Sequence, residues 1–281
     1  MESPDPSDSK PLGARPDEPP APPSRDLPDA DPEAIGSPLA VLHEIIVRLQ
    51  REPAKAVLDV PSGRGVLVPT LRALGCEISA ADIRPDLFEP RDVACRYANL
   101  NQGLPYPSES FDAVLCCNGI HRVYALGFAV SEMARVLRPE GRLLLSFPNF
   151  SSLSRRVRFL LTGSFSPSFV RSAEVDDASG GMVRLPVTPA QVLAAVEASG
   201  LRVEEIRGLR RRPEKIRLLR VLYLPLVAPI WLASLLSRRR KRRGLRLSVV
   251  SRFDLLFNDF VLIAARKAAS PNGAGEERRP F

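Results

Sequence analysis

The stretch that decides the fold is VLDVPSGRG, residues 57–65. A short apolar run ends at Asp59 and passes into a turn that contains Gly63 and Gly65, and residues 66–74 have the pattern of a helix. Glycines let such a turn approach a ligand closely, and a helix start offers N–H groups to it. The carboxylate at the end of the strand favours a ligand with hydroxyl groups over a bare phosphate, because it repels phosphate. The stretch predicts a strand-to-helix turn that is either a ligand site or a plain connection.

Alternating strands and helices follow along the chain. The sequence predicts a helix that starts after Ser37 as N-cap, a helix at about 126–137, and a helix from Thr188, where Gln191 completes a capping box, to Gly200. The first helix is predicted from apolar residues at helical spacing, namely Leu39, Leu42, Ile45, Ile46 and Leu49. A turn is expected at RPEG, residues 138–141. Strands are expected at about 55–60, 77–82, 93–98, 111–117, 142–147, 201–209 and 259–266. This alternation predicts a doubly wound α/β sheet with a ligand crevice at the carboxyl ends of its strands.

Charge and proline content divide the 281 residues into a body and appendages. Residues 1–36 hold nine acidic and three basic side chains, a net charge of −6, together with ten of the 28 prolines. Residues 207–246 hold fourteen basic and one acidic side chain, a net charge of +13, so the remainder of the +8 total is close to neutral. We therefore predict a disordered acidic tail at 1–36, one domain at 37–267 and a frayed tail at 268–281.

The cysteines and the amino-terminal composition bear on the compartment. The chain has four cysteines, none in a CxxC pair or near either histidine, so neither a disulfide framework nor a metal site is predicted. The acidic, proline-rich start lacks the basic and then apolar pattern of a signal peptide. The expected location is the reducing cytoplasm.

Four motifs in order give the chain a family resemblance. They are VLDVPSGRG at 57–65, AADIRP at 80–85, ANLNQGLPYPSESFDAVLCCNGIH at 98–121 and VLRPEGRLLLSFPN at 136–149. In this order they resemble class I S-adenosylmethionine-dependent methyltransferases of the type 11 kind, over roughly residues 38–267. The resemblance implies a seven-stranded Rossmann-like sheet whose last strand is antiparallel, with an insertion between the last two strands, and S-adenosylmethionine as cofactor.

The resemblance also assigns cofactor-binding roles by position. The first motif is expected to hold the methionine end of the cofactor with Asp59, Pro61, Gly63 and Gly65, where Pro61 occupies the place of the usual first glycine. Asp82 is expected to accept hydrogen bonds from both ribose hydroxyls. Asn99 stands where the family usually has an aspartate for the adenine amine, and Asn118 is expected at the pocket wall.

Candidates for the substrate end come from residue chemistry. His121 is one of two histidines and follows the fourth strand, so it is a candidate to deprotonate a substrate hydroxyl; the alternative is a hydrogen-bonded wall residue. Arg155, Arg156 and Arg158 are candidates to hold an anionic substrate group, or form the solvated face of a helix.

The segment 210–252 between the last two strands is basic and apolar. Its apolar part, VLYLPLVAPIWLASLL at 221–236, contains two prolines and is shorter than the roughly 20 residues that a spanning helix needs. Basic clusters at 210–212 and 238–243 flank it. We expect residues 210–243 to contact an anionic membrane surface. A lid on the domain ranks second, and contact with RNA ranks third because the aromatic residues lie inside the apolar run.

These observations together predict a cytoplasmic, peripherally membrane-associated methyltransferase. The expected acceptor is a small, lipid-linked or glycan-type molecule that is methylated on oxygen, nitrogen or carbon. Two alternatives stay open at this point: an RNA methyltransferase that docks through the basic segment, and a methyltransferase-like domain that binds without catalysis.

Overall fold

A sheet of seven strands forms the centre of the fold in the computed structural model, which describes residues 39–165, 185–209 and 253–269. The strand order is β3-β2-β1-β4-β5-β7-β6. The strands are β1 (Ala56–Asp59), β2 (Glu77–Asp82), β3 (Cys95–Tyr97), β4 (Phe111–Cys117), β5 (Leu137–Pro148), β6 (Leu201–Leu209) and β7 (Phe260–Lys267). Strands β1 to β5 pair in parallel, and β7 runs antiparallel to both β5 and β6. The predicted seven-stranded sheet with an antiparallel last strand is confirmed.

Helices connect the strands. The α-helices are α1 (Leu39–Arg51), α2 (Val68–Ala73), α3 (Leu126–Val136), α4 (Leu153–Thr162), α5 (Pro189–Ala198) and α6 (Phe253–Leu256), with 3-10 turns at Pro85–Leu87 and Ile120–Arg122. The predicted tail at 1–36 and the insertion at 210–252 lie outside the described residues, as does nearly all of the tail at 268–281. No helix in the described ranges is long and apolar enough to span a bilayer.

The strands bury both faces of the sheet. Along β4, Val114 and Cys116 join the apolar cluster that includes α3 and α5. Ala113 and Leu115 join the opposite cluster, which includes α1 and α2. Because successive strand residues point to opposite faces, a near-continuous apolar run such as this one needs a helical layer on each side. The doubly wound arrangement follows from that pattern.

Helix boundaries follow local sequence signals. In α1, Leu42, Ile45 and Leu49 are buried as predicted, and Val41 is buried where Ile46 is only half-buried. At α5 the predicted capping box is present: the hydroxyl of Thr188 accepts the N–H of Gln191, whose side chain accepts the N–H of Thr188.

Two local predictions differ from the structure. Helix α2 begins at Val68, two residues later than predicted, because Gly63 and Gly65 extend the turn with φ angles of +54° and +80°. The RPEG segment lies within β5 instead of preceding it: Leu137 pairs with Phe111 and Arg142 with Ala113, so residues 138–141 bulge out of the ladder. Glu140 takes a φ of +62° in this bulge.

A network of ion pairs lies at the edge of the sheet opposite the carboxyl ends of the parallel strands. Arg266 of β7 contacts Glu204 at 2.6 Å and Glu52 at 2.7 Å, and Arg142 of β5 contacts Glu52 at 3.0 Å. The hydrogen bond from Arg266 lowers the pKa of Glu52 below its usual value, helped by the charge of Arg142. The network ties the loop after α1 to the far side of the sheet, away from the crevice.

The turns after β1 and β4 are in direct contact. The peptide bond between Val60 and Pro61 is cis, and the proline ring lies against the backbone of Gly119. A Cβ atom on Gly119 would stand 2.2 Å from Cδ of Pro61. The φ angle of Gly119 is −104°, which any residue can adopt. Glycine is therefore required there by the lack of space beside Pro61 and not by the backbone conformation.

Gly119→Ala should therefore destabilise the protein by about 1–3 kcal/mol, because the added methyl overlaps the ring of Pro61. Gly127→Ala is the matched control, since its Cβ meets nothing within 4 Å in the exposed first turn of α3, and it should be neutral or stabilising by about 0.5 kcal/mol. Urea unfolding of both variants measures the difference. Equal stabilities would mean that the contact between the two turns does not constrain the fold.

Candidate functional site

The crevice begins where β1 and β2 end, with one carboxylate on each strand. Asp59, the last residue of β1, pairs with Ala80 of β2 and Leu115 of β4, so neighbouring strands enclose it on both sides. Asp82 is the last residue of β2. Both side chains are buried, with residue exposures of 2% and 7%. Parallel pairing thus brings both predicted acidic residues to the same edge of the sheet.

Asp82 organises the turn of the first motif. Its Oδ2 accepts the N–H of Gly63 at 2.8 Å, and its Oδ1 accepts the N–H of Arg84 at 2.9 Å. Each carboxylate oxygen can accept a second hydrogen bond. Asp82 therefore holds the turn and can still accept two donors from a ligand.

Asp59 carries an unmet acceptor. Its Oδ1 is buried and has no hydrogen-bond partner within the part of the chain that the structure describes. Burial raises the pKa of Asp59 to about 8, and the charge of Asp82 adds to the effect. A buried acceptor of this kind favours a ligand that brings a donor, above all a cationic one.

The glycine turn presents its backbone to the same space. A Cβ on Gly63 would meet no atom within 4 Å, so this position faces open space beside Asp82. Gly65 instead faces Phe88 and Pro90, with Cε2 of Phe88 2.7 Å from where its Cβ would stand. Ser62 fixes the turn to β2, because its N–H and its hydroxyl both donate to the carbonyl of Ala81, at 3.0 and 3.2 Å. Pro61 precedes this anchored serine and takes no positive φ.

Asn99 lies at the crevice, and its side-chain oxygen already accepts hydrogen bonds within the protein. It follows β3 at the predicted position and is half-buried. Its Oδ1 accepts the N–H of Asn101 at 3.0 Å and the side-chain amide of Asn101 at 3.3 Å. Both hydrogen bonds come from Asn101, and the role of Asn99 as an acceptor for the adenine amine stays a prediction.

Asn101 is a site residue that the motif pattern did not indicate. Its Oδ1 accepts the N–H groups of Tyr124 and Ala125, at 2.8 and 3.1 Å. It therefore joins the loop after β3 to the loop after β4. A short polar residue between Asn99 and the QG turn was the available signal, but its partners lie more than twenty residues away.

Asn118 and His121 lie at the carboxyl end of β4. Asn118 adopts a φ of +56°, and its N–H donates to the carbonyl of Ser146 in β5 at 3.0 Å. The ring of His121 is buried, with a residue exposure of 2%, and its centroid lies 6.2 Å from that of Phe150. The carbonyl of His121 accepts the N–H of Leu185 at 2.8 Å.

The three arginines of α4 differ in their surroundings. The guanidinium of Arg155 lies 4.4 Å from the centroid of the Phe150 ring, on the wall that also touches His121. Arg156 and Arg158 are exposed residues, but burial of the guanidinium lowers the pKa of Arg156 below its usual value. Arg155 is the arginine whose contact with the wall beside the candidate base is observed.

Asn149 fixes the remaining wall. It is fully buried at the end of β5, and its N–H donates to the carbonyl of Asp259 at 2.7 Å. Its side-chain amide donates to the carbonyls of Asn258, at 2.9 Å, and Leu255. This role has no local signal in the sequence, because the partners lie over a hundred residues along the chain.

The cysteines and metal ligands add no chemistry to the crevice. All four cysteines are free, and burial raises the pKa of the Cys116 thiol to about 12. Within the described residues, no group of three or more His, Cys, Asp or Glu side chains could hold a metal ion.

The geometry fits the expected cofactor. S-adenosylmethionine carries a cationic amino group and two adjacent ribose hydroxyls. The unmet oxygen of Asp59 suits the first, the carboxylate of Asp82 suits the second, and the open face of Gly63 leaves room between them.

Comparisons with known proteins agree with the fold. Residues 58–145 match the sequence profile of a family described as Methyltransferase domain. A demethylmenaquinone methyltransferase of Tropheryma whipplei strain Twist is 34% identical over 95 residues, which are 32% of this chain and 40% of the relative. A ubiquinone biosynthesis O-methyltransferase of Xanthomonas axonopodis pv. citri is 25% identical over 200 residues, 66% of this chain and 81% of the relative. The chain spans half or less of the length of the demethylmenaquinone methyltransferases that it matches.

Solved structures share the architecture at low sequence identity. A chain of the Haloferax volcanii complex between a methyltransferase and the Trm112 methyltransferase activator superposes with a TM-score of 0.51 and 17% identity, over 82% of this chain and 91% of that one. The [4+2]-cyclase SpnF gives a TM-score of 0.51 and 18% identity, over 82% and 81%. Because one of these two is a cyclase, the fold alone does not decide the reaction.

The matched profile covers β1 to β5 and includes both crevice carboxylates. The sheet order and the antiparallel β7 complete the architecture that the four motifs imply. The match therefore assigns residues 58–145 to a family described as Methyltransferase domain, and the sheet around them has the class I methyltransferase fold.

Proposed function

We propose that this protein is an S-adenosylmethionine-dependent methyltransferase that acts on a small, lipid-linked acceptor of the quinone type. The observation that carries the proposal is the pair of buried carboxyl groups at the tips of β1 and β2, one with an unmet oxygen and one holding the glycine turn. The names of the relatives, which include demethylmenaquinone and ubiquinone biosynthesis methyltransferases, support the acceptor class.

Each crevice residue has a proposed role. Asp59 and the turn of Pro61, Gly63 and Gly65 hold the amino-acid end of the cofactor, and Asp82 accepts the ribose hydroxyls. Asn99 and Asn118 line the adenine end and the wall. The bound cofactor supplies a methyl group that is already activated on a sulfonium. The protein then has mainly to align an acceptor atom with that methyl and to exclude water, since proximity supplies much of the rate.

His121 is the proposed proton acceptor. It lies in a buried wall at the end of β4, and aromatic Phe150 stands beside it. A neutral imidazole at this place can take the proton of an acceptor hydroxyl, which activates either that oxygen or the ring carbon beside it to attack the methyl group. The alternative role, a wall residue that shapes the pocket, makes a different kinetic prediction.

We place the protein at the cytoplasmic face of a membrane. The support is compositional: residues 207–246 carry a net charge of +13 around an apolar run at 221–236. Because a lipid-linked acceptor stays in the bilayer, a membrane-bound enzyme would meet it by lateral diffusion. Residues 210–252 lie outside the described residues, so this part of the proposal depends on the sequence.

Titration with S-adenosylhomocysteine tests the cofactor site. The wild-type protein should bind, and Asp82→Ala should weaken the affinity by about tenfold to a hundredfold, because charge-assisted hydrogen bonds to two hydroxyls are lost. Asp86→Ala is the matched control, an exposed carboxylate that pairs with Arg84 outside the crevice. Since Asp82 also holds Gly63, thermal unfolding of each variant is measured alongside. Absence of binding by the wild-type protein at near-millimolar ligand would remove the cofactor role.

Asp59→Asn should stabilise the ligand-free protein at alkaline pH while weakening ligand binding. The folded-state pKa of about 8 lies above the ordinary 3.8, so the protonated carboxyl favours folding. That contribution is complete below the unfolded-state pKa and is lost as pH rises through about 8. The amide cannot ionise, so the gain over wild type should grow between about pH 4 and 8 to a few kcal/mol and level off above pH 8.

Asp112→Asn provides the opposite case for the same denaturation series. Burial opposes the shift, but the N–H of Ala56 and the side chain of Arg138 hold the pKa of Asp112 below its usual value. Asp112→Asn should therefore lose stability, and the loss should shrink as pH falls through the carboxyl's titration. A gain for Asp59→Asn that is constant with pH would contradict the buried ionisation.

Methyl transfer itself can be measured with methyl-labelled S-adenosylmethionine and reduced demethylmenaquinone in lipid vesicles. If His121 accepts the proton, His121→Gln should lower kcat by about a hundredfold, leave S-adenosylhomocysteine affinity unchanged and remove the acidic limb of the pH–rate profile. His43→Gln, at the other histidine, which is exposed on α1, is the control. A raised KM with an unchanged pH profile would assign His121 to the wall.

A further inference from the structure

Helix α4 is unusual for a helix beside a crevice, because it buries none of its residues. Leu160 and Leu161 are 82% and 76% exposed, the most exposed of the large apolar side chains in the described ranges. Phe159 is 46% exposed and stacks on Phe165 with a centroid distance of 4.3 Å. Exposed leucines in adjacent positions need a partner, since a bare surface of this kind promotes association.

Apolar and cationic residues occupy different positions around α4. Leu153, Val157, Leu160 and Leu161 recur at intervals that place them along one side of a helix. The polar positions hold Arg155, Arg156 and Arg158, and α4 contains no acidic residue. An apolar side next to a purely cationic one is the composition of a helix that lies in a lipid interface.

The location of α4 agrees with that partner. The helix begins five residues after β5 ends, at the carboxyl edge that carries Asp59 and Asp82. Asn149, between β5 and α4, is bonded to Asp259, whose N–H donates to the carbonyl of Leu209 at 3.1 Å. Leu209 and Phe253 flank the strongly basic residues 210–252, so that segment leaves and re-enters the fold next to α4. The sequence therefore adds strong positive charge at the edge of the sheet where α4 lies.

We propose that α4 docks this edge of the sheet onto an anionic lipid bilayer. Leu160 and Leu161 enter the boundary between headgroups and acyl chains, and Arg158 contacts lipid phosphates. Arg155 stays on the Phe150 ring and links the docked helix to the crevice wall. The inference deepens the proposed function by naming a membrane-contacting element in the described part of the chain, and it does not require that methyl transfer occur.

Vesicle flotation tests the proposal with the full-length protein. The probes are vesicles of phosphatidylcholine with 30% phosphatidylglycerol, as a chosen anionic composition, and vesicles of phosphatidylcholine alone. Leu160→Ser combined with Leu161→Ser should lower the partition coefficient on anionic vesicles by about tenfold or more, through loss of inserted apolar surface. Arg158→Gln should lower it by about fivefold, and added salt should reduce that difference.

Leu87→Ser is the matched control, because Leu87 is a 47% exposed leucine in the 3-10 turn after β2. It should partition as wild type does. If the double serine variant also partitions as wild type does, the basic segment alone binds lipid and the proposal is overturned. If that variant unfolds several degrees lower, the leucines are covered by this chain; if it abolishes self-association in sedimentation, a second copy covers them. Both results overturn the proposal.

Direct insertion can be measured with a single tryptophan. The sequence contains one, Trp231, so Trp231→Phe with Leu161→Trp leaves a probe only on α4. Lipids brominated on their acyl chains should quench the fluorescence of this tryptophan. If only a soluble quencher reduces that fluorescence and the brominated lipids do not, the proposal is overturned. Binding of S-adenosylhomocysteine is measured on the same samples. Its loss counts against the proposed function and not against the docking helix, so the two failures are distinguishable.

Discussion

The crevice depends on one constraint, the burial of a carboxyl group that its own fold does not satisfy. Asp59 is enclosed because β1 is the central strand of the parallel set, with β2 and β4 paired on either side. Its Oδ1 finds no donor among the described residues, and Asp82 stands close enough to raise the pKa of Asp59 further. Leaving a buried acceptor without a hydrogen bond costs about 1–3 kcal/mol. The rest of the edge, from the glycine turn to Asn118, is arranged around this carboxyl group and the space beside it.

The sheet could be predicted because its signals are local. Apolar runs that end in Asp59 and Asp82, glycines directly after the first strand, and a capping box at Thr188 each act over a few residues. The boundaries that differ arise from backbone detail. The RPEG segment was predicted as a turn and is a bulge within β5, because pairing with β4 resumes only at Arg142.

The site could be predicted only in part, for a related reason. Sequence position placed Asp59, Asp82 and Gly63 at one edge, but not the hydrogen bond by which Asp82 holds Gly63. It also placed Asn99 there, but not the two hydrogen bonds that the side-chain oxygen of Asn99 accepts from Asn101. The wall around His121 is assembled from Phe150 and Leu185, so it depends on contacts between distant segments. Such contacts leave no periodic trace in a single sequence.

The bond between Asp259 and Leu209 has a consequence for how the protein can change over time. It joins the end of β6 to the start of β7, and Asn149 clamps the same point from β5. The sheet therefore holds the two described ends of the intervening segment at one point. The entropy of closing a loop grows only slowly with its length. A change in the length of the segment 210–252 therefore costs the sheet little closure entropy, and evolution can alter that length while the bonds among Leu209, Asp259 and Asn149 keep the strand register.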